Sequence, residues 1–177
     1  MKKYLFLAVV LACAANSCKK KSTPAAPAYY FKATLDGKAI DFRIYNFASL
    51  TYVNSSPVKY HIVGQSSTLP NQGFMIIDLA SSNGWPIKTG TYTDTTVNFT
   101  VSCLYRVDST KGYTGGSDVY QGSLTGGAPP VTNHLILSVS MDDRGIKGSF
   151  SGDIYRDGST TADKMVVTNG DFYVAYD

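Results

Sequence analysis

Two histidines, one cysteine beyond the N-terminal segment and thirteen aspartates are the residues with the strongest claim to chemistry in this 177-residue chain. His61 and His134 each fall at an outward-facing position of an alternating stretch, which is where a surface histidine sits. A zinc site needs three or four nitrogen or sulfur ligands close together, and no His/Cys cluster supplies them. Composition allows a Ser-His-Asp triad, but no G-x-S-x-G elbow is present to present the serine. Asp157, Ser159, Thr161 and Asp163 alternate through D-G-S-T-T-A-D, so oxygens at every second position could wrap a hard cation. The glycine is misplaced for an EF-hand and the closing glutamate is missing, and Asp-Gly-Ser-Thr is equally a hairpin loop. Cys103 belongs to the series Val97, Phe99, Val101, Cys103, Tyr105, Val107 and reads as a small buried hydrophobe, with no basic setting to activate its thiol.

Aromatic side chains are the other candidates. Trp85, the only tryptophan, stands in the turn Asn83-Gly84-Trp85-Pro86. Its flat amphipathic ring would suit a sugar face, or would cover an edge of the core. Gly112 to Gly127 is glycine-rich but lacks the G-K-[ST] of a phosphate loop. It reads as a surface loop in which Tyr113 and Tyr120 are candidate ligand-binding residues, since recognition concentrates on long loops.

What must position these residues is narrowed by composition. The formal charge is +3, yet all 13 acidic residues are Asp and none is Glu. Five of the 16 basic residues precede residue 22, leaving 11 against 13 from Tyr29 onward. The body of the chain is mildly acidic, which removes the footing for nucleic-acid binding. Without Glu there can be no paired-Glu glycosidase and no H-E-x-x-H protease. Its absence also argues against long helices, whose surfaces use Glu freely.

The positive charge belongs to an export signal. Lys2 and Lys3 precede an apolar stretch from Tyr4 to Ala15, too short for the roughly 20 residues a membrane span needs. Ala15-Asn16-Ser17 then leads into Cys18, in the manner of a lipobox cut before an acylated cysteine. Residues 1–17 are read as a lipoprotein signal peptide, Cys18 as the lipidation site, 18–28 as a tether and 29–177 as one domain. Acyl chains anchor by about 0.8 kcal/mol per buried CH₂. Lys19 to Lys21 either meet anionic headgroups or simply begin a solvated tether. Cys13 departs with the signal, so Cys103 has no disulfide partner.

The remainder is strands and turns. Alternation and turn signals predict strands at Tyr29–Leu35, Lys38–Ile44, Leu50–Val53, Val58–Gly64, Gly90–Thr93, Thr96–Val107, Leu135–Met141, Ile146–Tyr155, Met165–Val167 and Phe172–Tyr176, and the near-continuous apolar run Phe74–Ala80 suits a strand that is buried on both sides or central. Asp36-Gly37 is a hairpin signal, Gly170 a bulge or turn, and a short strand is expected near Val119–Leu124. About ten short strands without helical periodicity imply an all-β fold. The expectation is a single antiparallel β-sandwich of jelly-roll or Ig-like outline, with a lipocalin-like barrel as the alternative.

Phe31-Lys32-Ala33-Thr34-Leu35-Asp36-Gly37-Lys38 resembles the F-x-A-x-[IL]-D-G-K opening of small lipoproteins of the Bacteroidota. Gly90-Thr91-Tyr92, Gly148-Ser149-Phe150-Ser151-Gly152 and Thr168 to Phe172 are similar to that family's G-x-Y, G-T-F-S-G and T-N-G-x-F elements. The family is of unknown function, so the resemblance implies a fold and an outer-membrane location, not a reaction. Lys19 to Lys21 replace the acidic residues that follow the lipid cysteine in its surface-exported members, which favours the periplasmic face. It also implies O-glycosylation candidates at Asp94-Thr95-Thr96 and Asp108-Ser109-Thr110.

The expectation is therefore a non-enzymatic, lipid-anchored envelope protein without cofactor or metal. It binds a glycan or other envelope ligand through Trp85, Tyr113 and Tyr120, or serves as an accessory subunit of an envelope complex with a protein partner. A hydrolase is the third reading, and nucleic acid is not a partner.

Overall fold

The computed structural model describes residues 28–69, 72–108, 110–116, 135–156 and 163–177. The expected signal peptide, Cys18, the expected tether, the expected strand at 119–124, Tyr120, His134 and residues 157–162 lie outside them. Among the described residues every regular element is a strand. They are β1 (Tyr30–Leu35), β2 (Lys38–Asp41), β3 (Tyr45–Val53), β4 (Ser56–Gln65), β5 (Phe74–Ser81), β6 (Gly90–Thr93), β7 (Phe99–Arg106), β8 (Gly112–Gly116), β9 (Ile136–Met141), β10 (Gly145–Arg156) and β11 (Lys164–Ala175). No described helix is long and apolar enough to cross a membrane.

The strands form one antiparallel network ordered β2-β1-β11-β10-β8-β7-β5-β4-β3, with β9 on β10 beside β8 and β6 on β9. The sheet curls into a half-barrel. One end strand, β3, comes round to the chain just after β11, where Ala48 bridges Tyr176 in parallel and the Asp177 amide donates to the Ala48 carbonyl at 2.9 Å. The all-β class and the antiparallel pairing follow the expectation from alternation.

Period-two alternation decides which side of the curl each residue takes. β4 reads Val58, Tyr60, Ile62 and Gly64 inward, and β7 reads Val101, Cys103 and Tyr105 inward. Their buried side chains join Phe31, Phe42, Met75, Ile77, Leu79, Leu137, Ile146, Phe150, Ile154 and Phe172 in one core. Phe31 packs within 5.0 Å of Phe42 and 5.6 Å of Phe150, ring centre to ring centre. The inward series expected for Ile40, Phe42 and Ile44 ends early. Phe42 is fully buried, but Ile44 is half exposed, because β2 stops at Asp41 and the chain bends before β3.

β11 is one continuous strand rather than two. Its pairings with β1 and with β10 both slip by one residue beside Gly170. The extra residue is therefore in β11 itself, and Asn169 there has φ 49°. This is a bulge, as the glycine suggested. Gly170 is required for a different reason: a β-carbon there would meet the ring and carbonyl of Phe150.

Strand directions define two rims. β1 begins, β10 begins and β11 ends on one of them. The parallel Ala48–Tyr176 bridge sets the end of β3 on the same rim. The β3–β4 turn and the β5–β6 connection therefore belong to it too, the latter tied down where the Ile87 amide donates to the Pro57 carbonyl. The opposite rim carries the end of β10 and the start of β8.

Candidate functional site

The outer face of β1, β11, β10 and β9 carries an open cleft of about 310 Å³ lined by Tyr30, Ser138, Val139, Ser140, Lys147, Gly148, Ser149 and Asp171. Alternation puts Tyr30, Ser138, Ser140, Lys147, Ser149 and Asp171 outward, over a floor of Val139 and Gly148, and register brings them level. Ser149 pairs with Ser138 on one side and Asp171 on the other, while Lys147 pairs with Ser140 and Tyr173. Gly148 allows the close strand approach, since a β-carbon there would collide with the Ser138 carbonyl.

The cleft is chemically mixed. The Tyr30 hydroxyl donates to Asp171 Oδ1 at 3.3 Å, and Lys32 meets Asp171 Oδ2 at 3.5 Å while its ammonium lies over the Tyr30 ring. Partial burial, then the Asp171 charge, holds the Tyr30 phenol above its ordinary value. It is a protonated donor throughout the neutral range. The Ser138 hydroxyl already bonds Thr91 at 2.8 Å. An aromatic face, hydroxyls, an ammonium and a carboxylate on a shallow surface fit a polyhydroxylated ligand better than an apolar one. The sequence hid this cleft because its residues come from four strands and none belongs to a motif.

A second polar group sits on the outer face of β3, β4, β5 and β7. Register aligns Ser49, His61, Asp78 and Ser102 in one row across these strands. His61 Nδ1 lies 2.8 Å from Asp78 Oδ1, and Lys59 Nζ lies 3.7 Å from the same oxygen. Asp78 is 4 % exposed, and its Oδ2 is buried without a hydrogen-bond partner among the described residues. The hydrogen bond in this row joins His61 to Asp78 and leaves Ser49 and Ser102 as its flanking neighbours. His61 was expected at the surface. It is on the outer face but partnered, and the partner escaped notice as one Asp within the apolar run Phe74 to Ala80.

The residues singled out from the sequence are not brought together. Trp85 is 58 % exposed on the β5–β6 connection and does not line the cleft. Tyr113 corrects an expectation: it lies in strand β8, not in a surface loop, and is 3 % exposed. Its ring packs in the core while its hydroxyl donates to Asp163 Oδ1 at 3.3 Å, which leaves nothing to offer a ligand. It is also at the rim opposite Trp85, beside Arg156. Of the cation candidate, Asp163 is described. Its carboxylate meets Arg156 at 3.2 Å and Lys111 at 3.9 Å, so it is already answered by cations of the chain. No group of three potential metal ligands occurs among the described residues. Cys103 is buried as expected, and burial, helped by the Asp78 charge, pushes its thiol up to about 12. Thr95 is exposed.

No family model matches the chain, and neither curated proteins nor solved structures yield a match.

Proposed function

We propose that the protein is a non-enzymatic binding module of the bacterial envelope, held to the outer membrane by lipid on Cys18, that takes a glycan in the cleft on β1, β11, β10 and β9. The observation that carries the reading is the convergence there of the Tyr30 ring, the hydroxyls of Ser140 and Ser149, the Lys147 ammonium and the Asp171 carboxylate. Such a surface recognises a sugar by stacking and by many moderate hydrogen bonds, each contributing about 1 kcal/mol. The anchor rests on the n-region, the short apolar stretch and the small residues before Cys18. The similarity to Bacteroidota lipoproteins at Phe31 to Lys38 supports the same location.

A glycan array probed with the acylated protein tests the reading. Binding that is lost in Tyr30→Ala, with the fold kept, supports it. A protein that ignores every glycan yet co-purifies from native membranes with one fixed partner chain is instead an accessory subunit.

A further inference from the structure

The rim where β1 begins carries a belt of aromatic side chains. Tyr29 stacks on Tyr173 at 5.1 Å between ring centres, and the Tyr173 hydroxyl donates to Asp142 at 3.2 Å. Tyr60 donates to the Met141 sulfur at 2.6 Å. Burial first, and then the nearby Tyr176 and Tyr52, hold the Tyr60 phenol above its ordinary value. The outermost members are not covered: Tyr29 is 40 % exposed, Tyr52 58 %, Val53 47 % and Trp85 58 %. Two of these are at the end of β3, just before the β3–β4 turn, and one is on the β5–β6 connection, so they come from separate segments to a single end. This rim also carries the carboxylates of Asp142, Asp143 and Asp177 beside Arg144 and Lys88. Asp142 accepts from the backbone amides of Arg144 and Gly145, and Asp143 lies 3.9 Å from Arg144.

The chain outside the described residues enters at this same end, through Ala28 and Tyr29. From Cys18 it is ten residues long, a reach of at most about 35 Å. A tether joined to one rim brings that rim to the bilayer first. We propose that the aromatic rim, with Trp85 and the Tyr52–Val53 end of β3 at its tip, docks on the lipid surface to which the anchor is attached. This rests on the reading of Cys18 as lipidated. Trp and Tyr favour the headgroup region because one end of the ring is apolar and the other hydrogen-bonds. Docked in this way, the protein presents the glycan cleft on its flank, parallel to the bilayer, and turns the rim of Tyr113 and Arg156 away from it.

Because Trp85 is the only tryptophan, its fluorescence reads the contact directly. The full acylated protein is reconstituted into phosphatidylcholine vesicles with and without brominated acyl chains, and floated to confirm attachment. Trp85 emission is expected to shift to the blue and to be quenched by the brominated lipid. Tyr52→Ser/Val53→Ser, both at exposed positions, is expected to float equally and to lose quenching. A protein that floats but whose Trp85 emits as in water, unquenched, overturns the docking and leaves the anchor intact. One that does not float removes both. Shielding of Trp85 in native membranes but not in pure lipid assigns the rim to a protein partner and also overturns the proposal.

Discussion

The ring of Phe31 on β1 occupies the space that a β-carbon of Gly64 on β4 would take, which closes the curl of the sheet across its core. Gly64→Ala therefore forces a methyl group against a fully buried aromatic ring held by Phe42, Phe150 and Phe172. The expected loss is about 1–3 kcal/mol, the usual cost of overpacking. Urea unfolding measures it. Gly90→Ala, with nothing within 4 Å of the new carbon, should shift the midpoint little. Equal effects of the two substitutions would contradict the packing argument.

Asp78 and His61 stabilise one another across β4 and β5. His61→Ala leaves the buried Asp78 carboxylate with Lys59 at 3.7 Å as its nearest cation. A cost of about 1–3 kcal/mol is expected, that of an under-satisfied buried acceptor. Asp78→Ala removes the group that His61 answers, so the double substitution should cost less than the two single losses added together. A cycle that adds without coupling would show the 2.8 Å contact to be energetically idle.

Alkaline pH should unfold the protein earlier than its composition suggests. Burial pushes the Cys103 thiol up to about 12 from an ordinary 9.0. Burial, then the charges of Asp142 and its tyrosine neighbours, pushes the Tyr176 phenol up to about 12 from 10.0. The folded state holds these protons more tightly than the unfolded chain does. Above the unfolded values unfolding releases protons, so stability falls as pH rises from about 9 toward 12. Thermal unfolding across that range checks this, and Cys103→Ala should flatten the slope. The same burial keeps the thiol of the folded protein unreactive toward maleimide at neutral pH.

Cys18→Ser should release the protein from membranes and leave its precursor uncut at that junction. Fractionation and mass measurement of the N-terminus follow both effects. A Cys18→Ser chain that is still cut there and still lipid-anchored would remove the basis of the anchor.

How far the sequence could be read depended on whether the signal was local. Alternation from Phe99 to Arg106 marked β7 and its inward Cys103 directly, and the apolar run Phe74 to Ala80 marked β5 as a central strand. Asn169-Gly170 marked a bulge. Tyr113 was misjudged because Gly112, Gly115 and Gly116 give β8 the composition of a loop, whereas Gly115 is there to let β8 approach Ile154 on β10. The cleft and the His61–Asp78 pair depend on which strands become neighbours. That follows from closure of the sheet, and no stretch of a few residues encodes it. Trp85 was recognisable as an exposed aromatic, but its rim was not, since Tyr29, Tyr52 and Trp85 meet only after folding.

The pairing of β1 with β11 joins the two ends of the chain: Tyr30 and Asp171, hydrogen-bonded at 3.3 Å, are 141 residues apart. Contacts of such long sequence separation make folding slow, because loop entropy is lost before the contacts form. Here they also make it late. Until the last strand emerges, β1 lacks its partner on one side, β10 lacks one edge, and Phe31 has no Phe172 to pack against. The native state therefore waits for its last strand: without β11 both β1 and β10 keep an open edge and the core around Phe31 stays incomplete.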